Sequence, residues 1–292
     1  MIYFSLPNFY ENINVHRFLH SLSKDYPQLF KTDISFCSST GSFPYSSWNG
    51  GINSNVGKGA YYLDFIHIQN YSNIVMPFRF NMSNVLLEDN DFYDAMNQAI
   101  LSIYHDGSTM LEVSSIPLME KIHETFPYYN FMFSKQADLI TPFTPELLNQ
   151  IIETNNFSLV GIPDKYVEDF NFLNQLKSKS KFELTVNPIC PSTCENCDKC
   201  LFAEHVHQIE YSNKQDMLNC PNKKRFLNQD DLISLDMIQT NYLKKGFNRF
   251  TFSTQYLLNE DETVDFYIQY FIKPECVNEA FGHWLNSKGV KD

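Results

Sequence analysis

The sequence lacks the features that would place the protein in a membrane or on a secretory route. No apolar run reaches the roughly 18 residues that a transmembrane helix needs. Residues 1–10 have the pattern of a strand, with neither the basic start nor the small-residue cleavage site of a signal peptide. These absences predict a cytoplasmic protein with no membrane association, in which the seven cysteines are thiols or metal ligands rather than disulfides.

The chain also has little positive charge and little glycine. Its net charge is −12, and the longest basic cluster is residues 223–225, which excludes general nucleic-acid binding. There are 10 Gly against 26 Phe and 17 Tyr, so bulky rings are expected to fill the interior. Neither an H-E-x-x-H nor a G-x-S-x-G motif is present, so no residue pattern indicates proteolysis.

Strand-like and helix-like stretches alternate along the chain. Strands are predicted at residues 2–6, 34–38, 76–80, 111–113, 129–133, 157–161, 182–186 and 250–252. Alternation predicts a parallel sheet, because parallel strands need crossover connections. Eight units favour a closed (β/α)8 TIM-like barrel, with an open doubly wound parallel sheet as the alternative. We expect a single domain over residues 1–292, with a cysteine-rich loop at 188–221 and a C-terminal tail from about residue 272.

Five cysteines follow the seventh predicted strand. Cys190, Cys194, Cys197 and Cys200 have the spacing C-x3-C-x2-C-x2-C, and Cys220 lies twenty residues further on. Close spacing lets one loop wrap several thiolates around one ion or cluster. The pattern therefore predicts a metal site, and the alternative is a set of separate thiols that bind no metal.

The spacing bears on which metal is bound. Zinc sites usually have two C-x2-C pairs separated by a longer loop, whereas a nearly contiguous run is typical of ferredoxins. A 4Fe–4S iron–sulfur cluster is the predicted cofactor, and zinc is the alternative, because four thiolates suit both. The portion from Cys190 to Cys197 also has the spacing of radical SAM enzymes. However, Asn196 stands where that family has an aromatic residue, and the motif follows the seventh strand instead of the first.

The C-terminal 120 residues or so resemble the collagenase-like peptidase family. The resemblance is carried by the strand end at residues 186–190 (VNPIC), the cysteines that follow it, and residues 246–250 (GFNRF). It implies an α/β barrel that holds an iron–sulfur cluster through cysteines, in a family whose members support hydroxylation of RNA or of quinone precursors. The cysteines here are more closely spaced than in that family, and its longer signature around the first cysteine is absent.

The same resemblance implies which cysteines bind the cluster. Cys190, Cys194 and Cys220 are the implied ligands, with Cys197 or Cys200 as the fourth.

Active sites of such barrels lie at the carboxyl ends of the strands. The candidate substrate-binding residues there are Trp48, Asn49, Arg79, Asn81, Glu112 and Asn187. Further polar strand-end residues are Ser5, Ser114, Lys135, Asp164 and Gln255. Because an unpaired buried charge is costly, Arg79 is expected either to bind a substrate carboxylate or phosphate or to pair with Glu112. No nucleophile–base set is recognisable, so no catalytic residue is assigned.

The predicted function is a metal-dependent, iron–sulfur barrel enzyme. It would act on a small-molecule or carrier-bound substrate at the carboxyl end of the barrel. The alternative is a barrel in which a structural zinc loop supports a binding or scaffold protein.

Overall fold

The structure is a computed structural model that describes residues 1–41, 48, 76–87, 92–93, 98–99, 101–102, 109–154, 156–187, 232–253 and 259–289. Eight parallel strands form a closed barrel in chain order. They are β1 (Ile2–Leu6), β2 (Ile34–Gly41), β3 (Phe78–Met82), β4 (Met110–Val113), β5 (Asn130–Phe133), β6 (Phe157–Gly161), β7 (Phe182–Thr185) and β8 (Arg249–Thr251). The predicted (β/α)8 TIM-like barrel is confirmed, and every predicted strand overlaps the observed one.

Helices surround the barrel. The described ones are α1 (Phe9–Asp25), α2 (Ile116–Thr125), α3 (Pro145–Thr154), α4 (Phe170–Asn174), α5 (Leu235–Met237), α6 (Glu260–Phe271) and α7 (Val277–Gly289). α5 continues as a π-helix and then a 3-10 turn that ends at Lys245. The stretch expected as a tail thus contains α7, which buries Ala280 and Trp284. Within the described ranges, no helix is both long enough and apolar enough to cross a membrane.

Local signals in the sequence set the helix ends. Ser115, Thr144 and Asn259 each accept a hydrogen bond from a backbone N–H in the first turn of α2, α3 and α6. Asn259 also forms a capping box with Glu262. Gly246 has a φ of 98° and closes the turn after α5, a left-handed conformation that favours glycine.

Aromatic side chains fill the layer between the barrel and its helices. Phe4 of β1 packs edge-on against Phe271 of α6, with ring centroids 4.9 Å apart. Phe250 of β8 packs against Tyr242 at 6.0 Å. Since side chains alternate along a strand, the intervening positions face the barrel interior. One of these positions is Ser5, and the others are also largely polar, which makes the interior unlike the branched aliphatic filling usual in this fold.

Candidate functional site

An ion pair crosses the barrel interior. Arg79 of β3 and Glu183 of β7 lie on opposite sides of the barrel, four strands apart. Arg79 Nη1 donates to Glu183 Oε2 at 2.8 Å, and Nη2 donates to Oε1 at 2.6 Å. Both side chains are almost completely buried, at 4% and 3% exposure. This two-pronged geometry is the strongest form of an Arg–carboxylate contact, and it satisfies the charge of Arg79 within the protein.

Hydroxyl groups extend the pair into a short network. Ser5 Oγ donates to Glu183 Oε2 at 2.8 Å, and Ser38 Oγ donates to Ser5 Oγ at 2.9 Å. Burial alone lowers the pKa of the Arg79 guanidinium, but the charge and hydrogen bonds of Glu183 raise that pKa above its ordinary value. The guanidinium of Arg79 therefore stays protonated at neutral pH.

Glu112, the partner suggested for Arg79 by the sequence, contacts it only loosely. Arg79 Nε lies 3.6 Å from Glu112 Oε2, which is too far for a hydrogen bond. The other oxygen of Glu112 accepts a hydrogen bond from Ser134 Oγ at 2.7 Å. Arg79 thus pairs inside the protein, as one of its two predicted roles requires, but its principal partner is Glu183.

A second polar cluster lies at the carboxyl ends of β5, β6 and β7. Lys135 Nζ lies 2.5 Å from Asp164 Oδ1, and it donates to Thr185 Oγ1 at 2.8 Å. The Lys135 and Asp164 side chains are 21% and 14% exposed, so solvent reaches both. We call Lys135, Asp164 and Thr185 the rim cluster. It places a charged donor and a charged acceptor side by side where substrates bind in this fold.

The loops that carry the rim cluster are joined a second time. Lys135 and Asp138 share the 3-10 helix after β5, and Asp164 and Lys165 share the one after β6. Lys165 Nζ lies 2.5 Å from Asp138 Oδ2. Each loop therefore supplies the lysine of one ion pair and the aspartate of the other. Asp138 also accepts the backbone N–H of Phe143 at 2.8 Å. The Lys165–Asp138 pair is therefore built into the loop structure.

A glycine allows the close approach of these loops. A Cβ atom at Gly161, the last residue of β6, would lie 3.1 Å from the backbone nitrogen of Lys135 and 3.1 Å from Met132 Cε. Such contacts are tighter than ordinary van der Waals packing. The absence of a side chain at Gly161 thus lets the backbone of Lys135 pack against the end of β6.

The remaining predicted substrate-binding residues are dispersed. Trp48 is fully buried in the apolar core, and its carbonyl accepts the N–H of Asn84 at 3.0 Å. Asn81 Oδ1 accepts from Ser83 Oγ at 2.6 Å. Asn187 Oδ1 accepts the backbone N–H of Ser253 at 2.5 Å, which ties the end of β7 to the end of β8. These three side-chain and backbone contacts are internal to the protein.

Other predicted features lie outside the described residues. They are Asn49, Gln255 and the cysteines Cys190, Cys194, Cys197, Cys200 and Cys220. Among the described residues, no group of three or more His, Cys, Asp or Glu side chains could hold a metal ion.

The described residues on either side of the cysteine-containing segment lie next to each other. The description stops at Asn187, two residues beyond the end of β7, and resumes at Leu232. Ile233 N donates to Val186 O at 2.8 Å, and Ile233 O accepts from Tyr270 Oη at 2.7 Å. Val186 and Ile233, which flank residues 188–231 in the sequence, are therefore neighbours at the carboxyl end of β7.

Glu183 and Thr185 were not among the residues assigned from the sequence. Glu183 is the only charged residue in the apolar strand β7, and that is the signal that could have marked it as a partner for Arg79. Thr185 carries no distinguishing signal. No protein-family model matches the chain, and the search of curated proteins gives no match.

Proposed function

We propose that the chain is an iron–sulfur barrel enzyme that acts on a small or carrier-bound substrate at the carboxyl end of the barrel. The observation that carries this proposal is the anchoring of the cysteine-containing segment. The described residues that flank it, Val186 and Ile233, are joined by a backbone hydrogen bond at the carboxyl end of β7. This anchoring supports a cluster close to the end of the barrel where substrates bind.

Four thiolates from that segment would hold the cluster. Cys190 and Cys194 follow the end of β7 within nine residues, and the further ligands would come from Cys197, Cys200 and Cys220. A bound cluster would supply one-electron transfer or Lewis-acid chemistry. The rim cluster would supply the polar contacts: Lys135 donates hydrogen bonds, and Asp164 accepts them.

Metal analysis of anaerobically purified protein tests the proposal. We expect a brown protein with about four iron and four acid-labile sulfide per chain, the content of one 4Fe–4S cluster. A colourless, folded protein without iron would overturn the proposal. One zinc per chain would establish the alternative, a structural zinc loop.

Cysteine variants sharpen the same analysis. Cys194→Ser should lose iron and sulfide, because a ligand is removed. Cys37→Ser is the matched control: Cys37 lies on β2, 3.7 Å from Ser5 Oγ, and burial raises the pKa of its thiol. We expect Cys37→Ser to keep the full iron content. Equal iron loss in both variants would contradict the ligand assignment.

A further inference from the structure

The ammonium group of Lys135 has one more hydrogen-bond donor than it has acceptors among the described residues. A lysine ammonium group has three N–H donors. Those of Lys135 go to Asp164 Oδ1 and Thr185 Oγ1, and no described residue accepts the third. The side chain is partly exposed, so a ligand can reach this donor.

Lys135 is not needed to hold the loop after β5 against the loop after β6. The Lys165–Asp138 pair already links the same 3-10 helices at the same distance of 2.5 Å. Lys165 also lies over the ring of Tyr166, 5.1 Å from its centroid, on the loop itself. Lys135 instead reaches inward to Thr185, which is 1% exposed at the end of β7. Lys135 thus contacts the end of β7, a strand that belongs to neither of the two loops.

The position of Lys135 is held from three sides. Asp164 and Thr185 fix its ammonium group, and the close packing at Gly161 fixes its backbone. A cation whose position is set before a ligand arrives binds with less loss of side-chain entropy. Arg79, in the barrel interior, has both of its Nη groups bonded to Glu183 and is almost completely buried, so it is closed to ligands.

We propose that Lys135 binds an oxyanion of the substrate, a carboxylate or a phosphate, with the third donor of its ammonium group. A compact ammonium charge matches both groups. The proposal rests on the proposed function only in placing the substrate at the carboxyl end of the barrel. It does not require the cysteines to hold a metal.

Thermal unfolding of the full-length, anaerobically purified protein tests this proposal. Inorganic phosphate and acetate are each titrated at constant ionic strength, with chloride as the reference ion. We expect one of the two anions to raise Tm by about 2–4 °C, the rise given by a ligand at roughly ten times its Kd. A response to phosphate indicates a phosphorylated substrate, and a response to acetate a carboxylic acid.

Matched variants distinguish Lys135 from its neighbour. Lys135→Met should lose the anion-dependent rise, Lys135→Arg should keep part of it, and Lys165→Met should keep all of it. The proposal is overturned if neither anion raises the Tm of the wild-type protein, if the rise survives Lys135→Met, or if Lys165→Met removes it equally.

Iron and sulfide analysis of the same samples separates this proposal from the function proposed above. Lys135→Met should contain as much iron as the wild-type protein. An anion response in protein without iron supports the role of Lys135 and overturns the iron–sulfur enzyme.

Discussion

The two polar clusters of the barrel use the same chemistry in different surroundings. In the interior, Arg79 and Glu183 form two hydrogen bonds and are nearly inaccessible to solvent. At the rim, Lys135 and Asp164 form one short contact, are partly exposed and leave a donor unused among the described residues. The interior pair is thus suited to stabilise the fold, and the rim pair to bind a ligand. Charge alone does not identify a binding residue; accessibility and the remaining donors do.

The largest expected effect comes from breaking the interior pair. Glu183→Gln should lower the free energy of unfolding by about 3–5 kcal/mol, because the buried guanidinium of Arg79 loses one acceptor and keeps only the more distant Glu112 as a charged partner. Urea denaturation measures the loss. Arg79→Met combined with Glu183→Leu should recover part of it, since no buried charge is then left unpaired. A loss below about 1 kcal/mol in Glu183→Gln would show that the interior pair does not stabilise the fold.

The buried, neutral side chain of His16 makes the stability of the fold depend on pH. His16 on α1 is almost fully buried, and its ring nitrogens lie 3.0 Å from Ser39 Oγ and from the carbonyl of Pro7. Because a carbonyl only accepts, Nε2 carries the proton and Nδ1 accepts from Ser39. Burial lowers the pKa of His16 from 6.5 to about 3, although the Pro7 carbonyl opposes that shift.

Stability should therefore fall in acid. The neutral ring is favoured in the folded state, so its contribution is complete above pH 6.5 and is lost as the pH falls from there towards the folded-state pKa of about 3. At pH 5 the expected loss is about 2 kcal/mol, measured as the free energy of unfolding in urea. His16→Gln removes the titrating group, so the variant should lose about 2 kcal/mol less than the wild-type protein between pH 8 and pH 5. An identical pH dependence in both proteins would contradict the assignment.

The smallest expected effect on the free energy of unfolding comes from removing the ion pair of the rim cluster. Lys135→Met should change the free energy of unfolding by no more than about 1 kcal/mol, because the ion pair is partly exposed and Lys165–Asp138 still joins the loops. Urea denaturation alongside Glu183→Gln provides the comparison. A loss as large as that of Glu183→Gln would assign Lys135 a structural role and remove the distinction between the two clusters.

The fold was readable from the sequence because strand signals are local. β1 (Ile2–Leu6) and β6 (Phe157–Gly161) have the predicted bounds. β3 begins two residues later than predicted, at Phe78. The reason is Pro77, which has no N–H for the strand ladder and contributes only its carbonyl, to Ser39 N.

The contacts of the two polar clusters could be predicted only in part from the sequence, because they depend on how the strands are aligned around the closed barrel. Lys135 and Asp164 were recognisable as polar residues at strand ends, but their pairing requires β5 and β6 to be neighbours in the sheet. The Arg79–Glu183 pair joins residues 104 positions apart and crosses the interior. Local spacing therefore suggested Glu112, whose strand is adjacent to that of Arg79, before the more distant Glu183.

Paramagnetic relaxation measures most directly whether the proposed cluster lies at the carboxyl end of the barrel. Nitroxide labels are introduced through an unnatural amino acid at exposed residues on either side of β5: Tyr128 before the strand and Ile140 beyond its carboxyl end. With the cluster reduced, we expect faster spin relaxation of the label at Ile140 than of the label at Tyr128. Faster relaxation at Tyr128, or no difference between the two, would contradict the account.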